Sequence, residues 1–542
     1  MNVNFSDIPK HQSLFLDYLY EFENVKKYFN NDFRNKEKYF DIFNHLSEKE
    51  RPHREIIADI IKEQYSNYSV SDLTKENIKK IKSNKTIAVV TGQQIGLFGG
   101  PLYTFYKIIT TIKLCKKLQQ QTDKFKFVPI FWMEGDDHDF NEIKSFNVIS
   151  TDNNIINIKY DDEQPQDTNR GSVGNMTLSH KILDVLNELN NHIVDTEFKT
   201  DILNFLNSTY ISGRTLSDAF KNLLFKIFDE YGLIIFNPSD AKVKEILKPI
   251  FKQEIENFRK YTDIIVNNTA ELDDLYHAQV KINPVNLFYS DEEGRFLIEP
   301  VDDEFRLRNR RKRFSKQDIL DNIETHPEKF SPNVLLRPIC QDYLLPTAFY
   351  IAGPSEISYF AQLIPLYKIY NIIQPILYPR ASITIVESKV NNFLSKYGLA
   401  LYNLFLEDKI LTNQFTNAIG EIDYDNLLHT TKNNIENLIN DLKLNIQKLD
   451  KTLVGTVDNT LEKINQAIDY LKLKVDKSQE TKFDTALRQL RRAKNILFPN
   501  NNLQEREINF IYFINKYSFA ILKYIFDEIN IELFEHQIIE LS

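Results

Sequence analysis

Glu134, Asp136, Asp137, His138 and Asp139 place four carboxylates and one imidazole within six residues, directly after the apolar run 125–133. An imidazole titrates near neutrality, at about 6.5 when unperturbed, so His138 suits the task of taking a proton from an attacking amine. Its neighbours Asp136, Asp137 and Asp139 favour the imidazolium and are expected to raise that value. Asp137 would orient the ring or meet the amine, and Glu134 is a further acid–base candidate. As a transition-metal site the cluster lacks the spaced histidines or cysteine pairs such ions favour. A hard Mg²⁺ held by Asp136 or Asp139 together with a nucleotide phosphate fits the residue types better. The competing structural reading is an acid-rich helix cap, with Trp132 as core rather than a stacking wall.

Such a cluster needs a frame. The β-branched run Thr86-Ile87-Ala88-Val89-Val90-Thr91 reads as a buried strand, and a loop follows from Gly92 to Gly100. That loop holds four of the fourteen glycines: Gly92, Gly96, Gly99 and Gly100. It also holds the polar pair Gln93-Gln94. Pro101 stands where a helix would start, with Tyr103 in its first turn and Lys107 further along. Strand, glycine loop, helix and second strand place the acid cluster at a strand's carboxyl end, where open α/β sheets bind ligands. The loop is not a P-loop, because no Gly-Lys-Ser/Thr follows, and it does not spell Gly-x-Gly-x-x-Gly. Its plain alternative is a tight turn whose glycines relieve crowding.

A second stretch repeats the grammar. Arg337-Pro338 opens a helix containing Gln341 and Asp342, and 347–351 reads as a strand broken at Gly353-Pro354, with Glu356 behind it. Both glycine–proline helix starts would present free N–H groups to an anion. Residues 374–378 read as the last core strand, with Arg380 just past its end. Further expectations are helices over 1–84, with His53 a surface or first-turn residue, and a loop or mobile insertion over 152–175. Short strands are expected at 280–282 and 296–298. The six basic residues of 306–313 read as a solvated loop or as a flap over an anionic substrate.

The remaining 386–542 changes character. Ile435, Leu438, Leu442, Ile446, Leu449 and Leu453 follow helical spacing, as do Leu461, Ile464, Ile468, Leu471 and Val475, with Gly455 between the two sets. This pattern predicts a long antiparallel α-helical coiled coil that pairs subunits. The domains expected are 1–385, carrying insertions at roughly 152–230 and 262–330; the coiled coil 386–500; and a helical return over 501–542. The net charge of −9 argues against general nucleic-acid or anionic-membrane binding. No apolar stretch approaches the ~20 residues needed to span a bilayer. No signal peptide is read at the amino terminus, and Cys115 and Cys340 read as reduced, buried thiols of a cytoplasmic protein.

Longer strings carry a resemblance. Thr91-Gly92-Gln93-Gln94-x-Gly96-Leu97-Phe98-x-Gly100-Pro101-Leu102-Tyr103-Thr104, Phe131-Trp132-x-Glu134-x-Asp136-Asp137-His138-Asp139-Phe140 and Asn333-Val334-Leu335-Leu336-Arg337-Pro338-x-x-Gln341-Asp342 closely resemble the bacillithiol-synthesis cysteine-adding enzyme family. Gly99 stands where threonine is expected and Ser355 where glycine is expected. The resemblance implies an α/β fold: a Rossmann-like parallel-sheet core akin to class I synthetases and nucleotidyltransferases, with inserted segments and a dimerising coiled coil. It implies a ligase that joins the carboxyl of cysteine to the amine of glucosaminyl-malate. The resemblance does not settle how the carboxyl is activated; transfer to AMP from ATP is the natural route for this fold, with Mg²⁺ accompanying the nucleotide and no structural metal expected. On that reading the glycine loop and both helix starts cradle phosphates. Two other classes stay open: a nucleotide-binding scaffold without chemistry, and a metal-assisted hydrolase using the same acid cluster.

Overall fold

The computed structural model describes residues 2–419 and 424–541. The chain divides into one unit of residues 1–386 with 502–541, and a second of 387–501. The first is built on five parallel strands in the spatial order Ile376–Pro379, Thr347–Ala352, Thr86–Gln94, Lys126–Glu134, Ile234–Phe236. Their apolar runs are buried on both faces, as parallel strands covered by helices require. The helix Tyr103–Gln121 makes the crossover between the first two strands in the chain, burying Phe105, Ile109 and Ile112.

The strand order creates the site's location. From the central strand Thr86–Gln94 the chain moves outward through Lys126–Glu134 to Ile234–Phe236, then returns to the opposite side for Thr347–Ala352. The order therefore reverses between Thr86–Gln94 and Thr347–Ala352, which opens a crevice at their carboxyl ends. The register sets Gln94 beside Glu134, so both chemistry-bearing stretches reach the same edge. Thr91 Oγ1 donates to Ile351 O across the two central strands, 3.0 Å.

Several expected boundaries move. The central strand runs to Gln94 and absorbs Gly92 and Gln93. The segment 152–175 is not a free loop: Ile155–Lys159 forms an antiparallel pair with Ser145–Ile149. The strand expected at 280–282 lies instead at Leu287–Asp291, pairing with Gly294–Val301 across the expected turn. These two belong to an antiparallel five-stranded sheet with Glu304–Leu307, Arg313–Ser315 and Phe330–Pro332. The helix Ala241–Asp273 passes unbroken through residue 262, where an insertion was expected to begin. The strand Ile376–Pro379 is the last of the parallel core sheet, as expected, and Ser382–Val386 then opens a separate sheet in which it pairs with His536–Glu540. The carboxyl-terminal return thus ends in a strand, where helices alone were expected. His53 is buried at a helix N-cap, its Nε2 2.8 Å from Tyr343 O.

The second unit contains the helical hairpin Tyr424–Leu449 and Val454–Leu497. The ion pairs Lys432–Asp469 and Lys443–Asp458 connect the two helices in antiparallel sense. The break falls at residues 450–453, where the Asp450 side chain accepts from Thr452 N, and Gly455 already lies in the second helix. Among the described residues no helix is long and apolar enough to cross a membrane. Cys115 and Cys340 are both buried free thiols, and burial pushes both up.

Candidate functional site

A cleft of about 490 Å³ opens at the carboxyl edge of the parallel sheet. Thirteen of the sequence-derived candidates line it: Gly92, Gln93, Gln94, Tyr103, Lys107, Trp132, Glu134, Asp137, His138, Arg337, Gly353, Glu356 and Arg380. Eight do not. Thr91 stitches strands, and Gly96, Gly99 and Gly100 pack away from the cleft. Asp136, Asp139, Gln341 and Asp342 complete that group.

The loop divides: Gly92, Gln93 and Gln94 line the cleft, whereas Gly96, Gly99 and Gly100 form a packing turn outside it. Gly99 and Gly100 adopt φ of 89° and 71°, in the left-handed region that side chains disfavour. A Cβ on Gly96 would stand 2.8 Å from Gly100 Cα. The carbonyls of Phe98 and Gly100 accept from Asn509 Nδ2, and Leu102 N donates to Ile508 O. The helix start at Gly100-Pro101 is therefore closed by the carboxyl-terminal segment. At Gly353-Pro354 the helix end is occupied from within, because Gly353 N donates to Glu356 Oε2 at 2.7 Å.

Lys107 was expected to meet ligand, yet its three donors are already engaged. Nζ reaches Gly92 O at 2.9 Å, Gln93 Oε1 at 3.0 Å and Glu356 Oε2 at 2.6 Å. Glu356 accepts in addition from Tyr350 OH. Lys107 and Glu356 thus build the cleft's floor.

The acid cluster separates into distinct duties. Asp136 is buried outside the cleft in an ion pair with Lys244. Burial works against its ionisation, but the Lys244 ammonium prevails and holds its carboxyl below the usual range. Asp139 caps the short helix Phe140–Ile143, accepting from Asn141 N and Glu142 N. Neither is placed as the Mg²⁺ ligand expected from sequence. Among the described residues no group of three or more His, Cys, Asp or Glu could hold a metal ion. Asp137 accepts from Gln94 Nε2, His138 N and Asp139 N, and these bonds overcome burial to keep it ionised.

Glu134 remains. Among the described residues its one hydrogen-bond donor is Trp132 Nε1, at 3.2 Å. Burial, reinforced by the Asp136 charge, pushes its carboxyl up despite nearby Arg337. Trp132 itself is core, 2% exposed and packed on Phe236. Asp342 is pushed up by burial to about 6, but it sits beneath the site, bonded by Tyr367 OH and Gln341 Nε2.

His138 reverses an expectation. Its pKa is lowered, by partial burial first and by the Arg295 guanidinium second, which together outweigh Asp137 and Asp139. Arg295 Nη1 stands 2.9 Å from His138 Nδ1. Nothing in the local spacing of the acid cluster points to Arg295, which lies 157 residues further along. The available signal was a charged residue inside the apolar strand Gly294–Val301.

Three further arginines line the same cleft. Arg380 pairs with buried Glu505, Nη2 to Oε1 2.6 Å. Arg337 donates to Tyr359 OH and Gln341 Oε1. Arg506, which sequence reasoning missed, lines the cleft and has no side-chain partner among the described residues. Neither Arg337 nor Arg506 forms an ion pair among the described residues, although the Glu134 charge acts on Arg337 and those of Glu505 and Glu507 on Arg506. The basic run 306–313 does not line the cleft; Arg306 and Arg308 pair with Glu299, Arg310 with Glu293, and Arg313 with Glu304. It is a solvated face.

Two family models match the chain. "Bacillithiol biosynthesis BshC, N-terminal Rossmann-like domain" covers residues 1–381, and "Bacillithiol biosynthesis BshC, C-terminal coiled-coil domain" covers 383–541. A relative from Salinibacter ruber is 36% identical over 97% of this chain and 96% of its own length. One from Chloroherpeton thalassium is 30% identical over 97% and 96%, and one from Chlorobaculum tepidum 33% over 86% and 84%. Each bears the name "Putative cysteine ligase BshC".

Proposed function

This chain belongs to the BshC family of bacillithiol biosynthesis, and from that premise we propose that it is a cysteine ligase. It joins the carboxyl carbon of cysteine to the amine of glucosaminyl-malate. The observation that carries the reading is that one cleft holds Glu134, a carboxyl with an open acceptor site at the end of a strand, together with the guanidinium groups of Arg337 and Arg506, which form no ion pair among the described residues.

The malyl group carries two carboxylates, and Arg506 with Arg337 offers charge-assisted hydrogen bonds to them. The amine must be uncharged to attack, and Glu134 accepts the proton it sheds. A bond forms between that nitrogen and the cysteine carbonyl carbon, and the bond from that carbon to its leaving oxygen breaks. A free carboxylate cannot react this way, because hydroxide leaves poorly. ATP would supply activation by passing its AMP to that oxygen with loss of pyrophosphate, giving a mixed carboxylic–phosphoric anhydride from which AMP leaves when the amine attacks. With the glycine loop closed by Asn509, side-chain cations and not backbone N–H groups would meet its phosphates.

The test is direct. Purified protein incubated with cysteine, glucosaminyl-malate and ATP should give the amide by mass spectrometry, with AMP formed in equal amount. Amide formed without AMP would overturn the activation route alone. No amide under any phosphate donor, with glucosaminyl-malate unchanged in cells lacking the protein, would overturn the ligase reading.

A further inference from the structure

The geometry points to Arg295 as a positioning residue that fixes His138 as a hydrogen-bond donor to the acyl oxygen, and not as the base. Arg295 Nη1 lies 2.9 Å from His138 Nδ1. A guanidinium only donates, and at 2.9 Å it lies closer to Nδ1 than Asp137 Oδ1 does at 3.5 Å, so Nδ1 presents its lone pair and the neutral ring then carries its proton on Nε2. Nε2 has no partner among the described residues, and the ring lines the cleft with 47% of the side chain exposed. A base needs a free lone pair, and here the lone pair is already taken.

Arg295 itself is held on every side. Nε donates to Ser331 Oγ at 2.8 Å and Nη2 to Pro332 O at 3.1 Å. The guanidinium carbon lies 3.7 Å from the Phe288 ring centre. Its backbone is clamped by Asn169, whose Oδ1 accepts from Arg295 N and whose Nδ2 donates to Arg295 O. Two inserted segments therefore converge on one side chain, which is only 5% exposed. Asp137 and Asp139 face the imidazole from its own loop and favour its protonation; Arg295 opposes them from the inserted sheet. The arrangement suits a neutral donor aimed at an oxygen that gains charge when the amine adds.

The acyl oxygen as ligand rests on the ligase reading; the tautomer does not. Long-range ¹H–¹⁵N correlation of histidine-labelled protein, with the His138 signals assigned by their loss in His138→Gln, should show the Nε2–H form near neutral pH. An Nδ1–H form in the unaltered protein would overturn the proposal whether or not ligase activity is found, and needs no variant at position 295. In Arg295→Gln, or in Ser331→Ala if the former does not fold, the tautomers should mix and the ring's pKa should rise towards its ordinary value. In turnover, His138→Gln keeps a donor and His138→Ala removes it, so alanine should lose ~10²–10³-fold and glutamine clearly less. Equal losses in the two variants, with the alkaline-rising limb of the pH profile abolished in both, would restore His138 as the base.

Discussion

Lys107 Nζ lies 2.6 Å from Glu356 Oε2, and this buried pair spans the point where the strand order reverses. Lys107 belongs to the helix that leaves the central strand, and Glu356 to the helix that follows Thr347–Ala352. Through Gly92 O and Gly353 N, the pair also sets the backbone at both strand ends.

Breaking that pair from one side should unfold much of the site. Lys107→Met leaves Glu356 buried with an uncompensated charge, a loss of ~3–5 kcal/mol by urea denaturation. Replacing both, Lys107→Met with Glu356→Gln, removes the stranded charge and should recover a large part of the loss. A single variant within ~0.5 kcal/mol of the unaltered protein would show that the pair does not support the fold.

Arg380 and Arg506 line the same cleft but should respond oppositely to substitution. Arg380→Gln strands Glu505, which is fully buried, and should cost ~3–5 kcal/mol of stability. Arg506→Gln strands nothing and should leave the unfolding midpoint almost unchanged. If Arg506 meets a malyl carboxylate, KM for the amine substrate should rise ~10–100-fold, the worth of one hydrogen bond to a charged group. An unchanged KM would place that carboxylate elsewhere.

The sheet was legible because fully buried parallel strands leave unbroken runs of apolar, β-branched or aromatic residues, as in 86–91 and 347–351. The missed strands leave no such mark. Ile155–Lys159 and His536–Glu540 mix polar and apolar residues in small sheets of two and three strands, and Leu287–Asp291 is half-buried. The acid cluster was legible as a cluster, but its division of labour was not. Lys244, which neutralises Asp136, and Arg295, which sets the state of His138, arrive from 108 and 157 residues away. The expectation that His138 is raised failed because it counted only neighbours in sequence. Arg506 sits in Gln504-Glu505-Arg506-Glu507, which reads as an ordinary solvated turn. The glycines misled in the opposite direction, since a crowded turn and a phosphate loop ask for the same residue.

The helical hairpin has more apolar surface than its own seam uses. Ile435, Ile439 and Ile446 are half-buried, whereas Leu438, Leu442 and Leu449 are 69%, 49% and 86% exposed. We expect the exposed leucines to seat on a second copy of the chain, because each buried leucine is worth ~1.5–3 kcal/mol over an exposed one. Light scattering should give a dimer. Leu438→Glu with Leu442→Glu should give a monomer of unchanged helicity by circular dichroism. A dimer that survives both changes has its interface elsewhere.

Glu134 carries the last prediction, because its pKa shift ties activity to stability. Burial and Asp136 raise its carboxyl above the ordinary range. As a base it works only when ionised, so turnover should climb with pH through that raised value and then level off. Glu134→Gln cannot accept the proton and should lose ~10²–10⁴-fold in turnover. The sign for stability is the reverse. A carboxyl raised on folding favours the fold below its unfolded pKa, and that contribution is lost as pH rises through the folded value. Above that raised value the ionised Glu134 is therefore a burden on the fold, and glutamine, uncharged at every pH, should keep or raise the unfolding midpoint there. A base placed for chemistry gives this pairing of lost turnover with undiminished stability. Near-full turnover in Glu134→Gln would sink the assignment. A fall in both turnover and stability would mean that the carboxylate holds the site together instead of serving it.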